Sequence, residues 1–272
     1  MNYRIIALDL DGTLLTSQKT ILSESLDAIK AARAAGITVL LVTGRHHVAI
    51  RPFYHALALD TPAICCNGTY SYDFQAQKVL AATPLAREQA QSTIRLLEQN
   101  QINGLMYVED AMVYQTASGH VTRSLNWAQS LPPEQRPVYR QVSSLYQAAA
   151  EDKAIWKFAL TDPSIDRLNE VTALIEQELG LACEWSWIDQ VDVAQAGNSK
   201  GKRLAEWVAG QGYSMDEVIA FGDNYNDISM LELAGMGVAM GNADDAVKAH
   251  ADRVIGLNSE PVIAQTIREL VL

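Results

Sequence analysis

Cysteine is scarce in this chain, with three in 272 residues. Cys65 and Cys66 are adjacent in an apolar run and Cys183 stands alone, so neither a disulfide framework nor a zinc spacing is present. A reducing cytoplasm is the expected setting. No stretch approaches the ~20 apolar residues of a membrane span. The apolar stretch ending at Leu8 is short for a signal peptide and runs straight into carboxylates. Runs of lysine or arginine are missing too, and acids outnumber bases 32 to 21, for a net charge of −11. Such a chain repels nucleic-acid phosphates and anionic membranes, so neither is expected as a partner. An anionic ligand would have to be drawn in by a local arrangement of cations and backbone N–H groups. Repeats and low-complexity segments are also absent. What remains is an ordinary globular composition, 49% hydrophobic, long enough for one large domain or two modest ones.

The first part of the chain alternates strand and helix. Arg4 to Leu8 is an apolar run that stops at Asp9, and Ser23 opens a helical pattern that Gly36 closes. Thr38 to Val42 is a second buried-strand run ending at Thr43-Gly44-Arg45, and Ala63 to Cys66 is a third, ending at Asn67-Gly68. Strands without polar alternation, separated by helices, predict a doubly wound, Rossmann-like α/β fold with a parallel sheet. From about Pro84 to Ile188 the pattern changes to helices (Arg87 to Gln99, Ile165 to Leu179) and alternating strands. An antiparallel sheet with one face on helices is expected there, as an inserted α+β domain. The α/β pattern then resumes, with a helix capped by Ser199 and a strand from Val218 to Phe221. The expected division is a core of residues 1–83 and 189–272 around an insert of 84–188.

The polar clusters fall at strand ends, where open parallel sheets bind ligands. Asp9-Leu10-Asp11-Gly12-Thr13 follows the first strand. An isolated Asp-x-Asp is more often a turn or helix cap. Here Leu8 and Leu10 flank the acids, and carboxylates are costly there without a cation or partner. Two such acids suit a nucleophile or metal ligand beside a proton carrier. Thr43-Gly44 offers a hydroxyl and a closely approaching N–H. Lys200 begins a helix, a position the helix dipole disfavours for a cation unless an anion binds nearby. Gly222-Asp223-Asn224-Tyr225-Asn226-Asp227 puts two carboxylates four residues apart after another strand, able to face one site.

Taken in order, these segments resemble the four motifs of the haloacid dehalogenase superfamily: Asp-x-Asp-Gly-Thr, Thr-Gly-Arg, Ser-Lys-Gly and Gly-Asp-x-x-Asn-Asp. The insert, with the tail from Gly235 to Ala243, resembles the Cof-type branch carrying a type IIB cap, and the likeness spans essentially the whole chain. It departs from that pattern at Asn258-Ser259-Glu260-Pro261-Val262, where Asp-Gly-Val is usual, and at Asn198, where valine is frequent.

The resemblance implies a magnesium-dependent phosphatase with Asp9 as nucleophile and Asp11 as general acid, then base. It implies Mg²⁺ held by Asp9, the Asp11 backbone carbonyl and Asp223, with Asp227 acting behind them. It further implies phosphate held by the Leu10 and Gly44 N–H groups, Thr43, Lys200 and Asn226. A phosphomutase and a catalytically silent phosphate-binding protein are the alternatives. Within the branch the chain is similar to phosphatases of pyridoxal phosphate and sugar phosphates, so small phosphorylated metabolites are the expected partners. Arg45, His46 and Asn67 are candidates to face the leaving group. Trp156, Phe158, Trp185 and Trp187 are aromatics that could stack on a ring but more often fill a core.

Overall fold

A computed structural model describes residues 3–187 and 189–272. The chain divides into two compact units. The first runs through Arg45 and resumes over Pro52–Ala81 and Ser199–Leu272, and the second comprises His46–Arg51 and Ala82–Asn198.

The first unit is built on a five-stranded sheet ordered Arg253–Val254, Met236–Ala239, Val218–Gly222, Ile5–Leu8, Thr38–Leu41, every pairing parallel. Its strands are the apolar runs read from the sequence, and Ile5–Leu8 is wholly buried. A parallel bridge from Val42 to Ile64 leads to Ala63–Cys65, which opens a separate three-stranded sheet with Tyr70–Asp73 and Lys78–Ala82. The helices Ser23–Ala34, Lys200–Gly210 and Val262–Val271 bury apolar faces rich in Ile, Leu, Val and Ala. From Ile5–Leu8 the chain moves one way across the sheet, to Thr38–Leu41. From Val218–Gly222 it moves the other way. The point of reversal lies between these two central strands, which is where a doubly wound sheet opens a crevice.

The second unit has a six-stranded sheet ordered Leu181–Trp187, Gln190–Gln195, Ile155–Thr161, Asn103–Val108, Met112–Tyr114, Tyr139–Gln141. It is antiparallel except for its last pair, Met112–Tyr114 with Tyr139–Gln141, which is parallel. The helices Arg87–Asn100, Leu145–Glu151 and Ile165–Leu179 share a core with it through Ile94, Leu97, Ala149, Val171 and Ile175.

One sequence expectation changes here, the end of the insert. Residue 188, where the insert was expected to end, lies outside the described residues, but the strand after it, Gln190–Gln195, pairs on both sides within this second sheet. The boundary therefore falls at Ser199. The run Gln-Val-Asp-Val-Ala-Gln suits either sheet, and only its partners decide. The stretch leading to Pro132-Pro133 contains a helix, Gly119–Ser130. Of the candidate stacking aromatics, Trp156 and Phe158 are buried, Trp185 packs against the core and Trp187 is exposed. Asn198 ties the two chain crossings of this unit together, its Nδ2 donating to the Thr83 carbonyl at 3.0 Å.

Candidate active site

Because Leu8 pairs with Phe221 in parallel register, the residues that follow them leave the sheet side by side. Asp9 is held there by its N–H, which donates to the Phe221 carbonyl at 3.1 Å. Gly12 then turns the chain at φ +84°, a region suited to glycine. A Cβ at this position would lie 2.1 Å from Asp223 Oδ2, so the turn brings backbone directly against that carboxylate. Thr13 Oγ1 donates to Asp223 Oδ1 at 2.8 Å.

Lys200 approaches from the first turn of its helix, which Ser199 caps by accepting from the Lys202 N–H. The helix sits close to Ile228–Leu233, since a Cβ on Gly201 would lie 2.2 Å from the Ser229 carbonyl oxygen. Lys200 Nζ donates to Asp9 Oδ1 at 2.7 Å and to Asp227 Oδ1 at 2.6 Å, with all three side chains buried. Asp227 Oδ2 accepts from the N–H groups of Asp223 and Asn224, at 2.9 and 3.0 Å. Both oxygens of Asp227 are thus spent on fixing Lys200 and the loop that carries Asp223.

Burial pushes the Asp9 carboxyl up, Lys200 opposes, and Asp227 and Asp223 push the same way as burial. Burial, followed by the Asp227 charge, pushes Asp223 up to about 7, with Thr13 and Lys200 opposing. Lys200 stays an ammonium, because Asp227 and Asp9 outweigh the burial that would otherwise discharge it.

Asp9, Asp223 and Asp227 offer carboxylate oxygens within 4.8 Å of one another. With all three ionised, the carboxylates would exceed the one ammonium by two negative charges, the charge a divalent cation brings. The cluster is all oxygen, with no imidazole or thiolate, which fits a hard cation. Both Asp227 oxygens accept hydrogen bonds, whereas among the described residues the side-chain donors reach only Oδ1 of Asp9 and Oδ1 of Asp223.

The Asp11 carboxylate turns elsewhere. Arg45 grips it with two nitrogens, Nη2 donating to Oδ1 at 2.7 Å and Nε to Oδ2, and Lys19 Nζ donates to Oδ1 at 2.6 Å. Burial raises this carboxyl, but Arg45 and Lys19 outweigh it and hold the group well below the usual range. Arg45 also lies over the Phe53 ring at 5.3 Å.

The remaining candidates divide. Thr43 is buried and its Oγ1 accepts from the Arg45 N–H at 3.1 Å, and Leu10 is buried beside Asp9. Asn226 Nδ2 donates to Asn67 Oδ1 at 3.0 Å, next to Gly44, where a Cβ would lie 2.8 Å from that same oxygen. Asn226 Oδ1 is buried with no hydrogen-bond partner among the described residues, leaving this pair of amides one polar atom to satisfy. His46 departs from expectation. It is fully buried within the second unit, Nε2–H donating to the Val108 carbonyl at 2.6 Å while Nδ1 accepts from the Val48 N–H, so neither nitrogen is left for a leaving group.

Two residues at the site escaped the sequence reading. Thr13 lay inside a quoted motif without a role. Lys19 carried no signal, since a lysine in a polar turn ordinarily reads as solvated. The departure at Asn258 also has a structural use, its Nδ2 donating to the Leu15 carbonyl at 2.7 Å.

A family profile described as haloacid dehalogenase-like hydrolase matches residues 6–267, nearly the whole chain. The chain belongs to this family of hydrolases. Pyridoxal phosphate phosphatase YbhA of Escherichia coli (strain K12) is 61% identical to it over 267 residues, 98% of each protein. The 5-amino-6-(5-phospho-D-ribitylamino)uracil phosphatase YcsE of Bacillus subtilis (strain 168) is 30% identical, covering 100% of this chain and 97% of that protein. Among solved structures, a haloacid dehalogenase-like hydrolase from Bacteroides thetaiotaomicron matches with a TM-score of 0.87 at 25% identity, covering 99% of this chain and 100% of that one. The HAD subclass IIB sugar phosphatase BT4131 matches with a TM-score of 0.84 at 24% identity over 98% of each, a likeness of fold.

Proposed function

We propose that this hydrolase is a magnesium-dependent phosphatase of small phosphorylated metabolites, working through a phospho-aspartyl intermediate on Asp9, with pyridoxal 5′-phosphate among its substrates. The observation that carries the chemistry is the meeting of Asp9, Lys200 and Asp223 at the ends of two adjacent strands. A carboxylate attacking a phosphate dianion faces like-charge repulsion. Lys200 offsets it from one side, and magnesium, when bound to Asp9, Asp223 and the Asp11 carbonyl, supplies further positive charge to the transferring group.

In this reading an Asp9 carboxylate oxygen bonds to phosphorus as the ester P–O bond breaks, and Asp11 gives its proton to the departing oxygen. Water then returns a proton to Asp11 as it displaces Asp9, releasing inorganic phosphate. Asp227 holds Lys200 in place. Thr43, the Leu10 and Gly44 N–H groups, Lys200 and the Asn226 amide hold phosphate oxygens, with Arg45 and Asn67 beside them. The unit formed by 82–198 with 46–51 takes the part of the cap, on which substrate choice depends. The setting proposed is cytoplasmic, and nucleic acid is not among the proposed partners. Among the described residues no helix is long and apolar enough to cross a membrane.

The substrate rests on the relative that is 61% identical and named a pyridoxal phosphate phosphatase. Comparing kcat/KM across phosphorylated metabolites tests it. Turnover of pyridoxal 5′-phosphate above that of unrelated esters of similar size is expected. A flat profile would leave a general phosphatase and remove the cofactor assignment.

A further inference from the structure

We propose that Lys19 is a positioning residue that, together with Arg45, fixes the Asp11 carboxyl for proton exchange with the leaving-group oxygen. The inference rests on Asp11 being the proton carrier. Lys19 and the Arg45 Nη2 share Asp11 Oδ1, whereas among the described residues Oδ2 takes only the Arg45 Nε. A carboxylate oxygen has two lone pairs, so Oδ2 keeps one to carry and pass a proton while Oδ1 is pinned. Three donated hydrogen bonds from two side chains fix the orientation of the carboxyl group.

The backbone around Lys19 is built to deliver it. Lys19 sits at φ +59°, the left-handed region that costs a residue with a Cβ. The tight turn is closed by the Lys19 N–H to the Thr16 carbonyl and the Thr16 N–H to the Thr20 carbonyl, both 2.9 Å, and by the two threonine hydroxyls at 2.8 Å. The base of the loop is tied down from the far end of the chain. Asn242 Nδ2 donates to the Gly12 carbonyl at 2.8 Å, Asn258 Nδ2 donates to the Leu15 carbonyl, and the Asn258 N–H donates to Asn242 Oδ1 at 3.0 Å. A solvated lysine needs none of this. Its side chain is 36% exposed, so the ion pair adds little to stability and its removal leaves a folded enzyme to assay.

The test uses leaving groups that differ in their need for a proton. An alkoxide, as from pyridoxal 5′-phosphate or a primary sugar phosphate, needs one, and p-nitrophenolate hardly does. Lys19→Gln is expected to lower kcat/KM for the alkyl ester about tenfold and for p-nitrophenyl phosphate less than about threefold, with Lys19→Arg restoring most of the loss. Asp11→Asn is expected to show the same selectivity, more strongly. Equal losses on both esters in Lys19→Gln, or none on either, would overturn the proposal while leaving Asp11 as proton carrier if Asp11→Asn remains selective. An unselective Asp11→Asn would remove that role from Asp11, and with it the role of Lys19.

Discussion

Removing Asp227 tests whether the site is preorganised by a residue that takes no direct part in the proposed reaction. Its two oxygens hold Lys200 and two backbone N–H groups, and the side chain is fully buried. In Asp227→Ala, Lys200 keeps Asp9 as its sole carboxylate partner. Breaking a buried ion pair from one side costs about 3–5 kcal/mol. Two opposing corrections apply. The freed N–H groups of Asp223 and Asn224 add a penalty, kept small because both residues are partly exposed and water can reach them. Relief of repulsion is the larger correction, since the Asp227 charge pushes up both Asp9 and Asp223. A net loss of about 3 kcal/mol follows, lowering Tm by about 6–12 °C in a chain of this size. Melting should be followed after chelation, so that metal release does not contribute. With magnesium present, kcat/KM should fall at least about a hundredfold, because Lys200, proposed to face the transferring group, loses one of the two carboxylates that hold it. Asp227→Asn keeps an oxygen for the backbone N–H groups, so it should recover part of the stability and little of the activity. An Asp227→Ala protein that melts like the wild type and turns over at a comparable rate would refute the reasoning.

Asp9→Asn should abolish turnover with the melting transition retained, and near-normal activity in the folded variant would defeat the covalent route. Chelation should silence the wild type until magnesium returns, and Asp223→Ala should lose most activity at any magnesium concentration; full activity after exhaustive chelation would contradict this. His46 offers a pH test. Burial, followed by Lys157 and Arg51, lowers it from 6.5 to about 4 against the opposing Val108 hydrogen bond. The unfolded chain therefore binds more protons between those values, and stability present above pH 6.5 is lost as pH falls toward 4, by up to about 3 kcal/mol. Urea denaturation across that range should show a shallower pH slope in His46→Gln than in the wild type, and identical slopes would count against a buried neutral imidazole.

The sequence determined the alternation of apolar strands and helices, and with it the parallel sheet, because a strand buried on both faces must be apolar throughout. It also placed Asp9, Thr43, Lys200 and Asp223 at element ends, since a polar residue closing an apolar run has few other places to go. Partner choice was not legible. Gln190–Gln195 reads equally well as a strand of either sheet, and its ladder with Ile155–Thr161, a strand distant in the chain, settled the matter. His46, one residue beyond a motif, belongs to the second unit for the same reason. Lys19 reaches Asp11 because a strained turn, tied at its base by Asn242 and Asn258, aims it there. Local pattern records which surface a residue must bury, whereas the direction a charged side chain takes is set by groups brought near it from distant parts of the chain, and only the tertiary structure contains those.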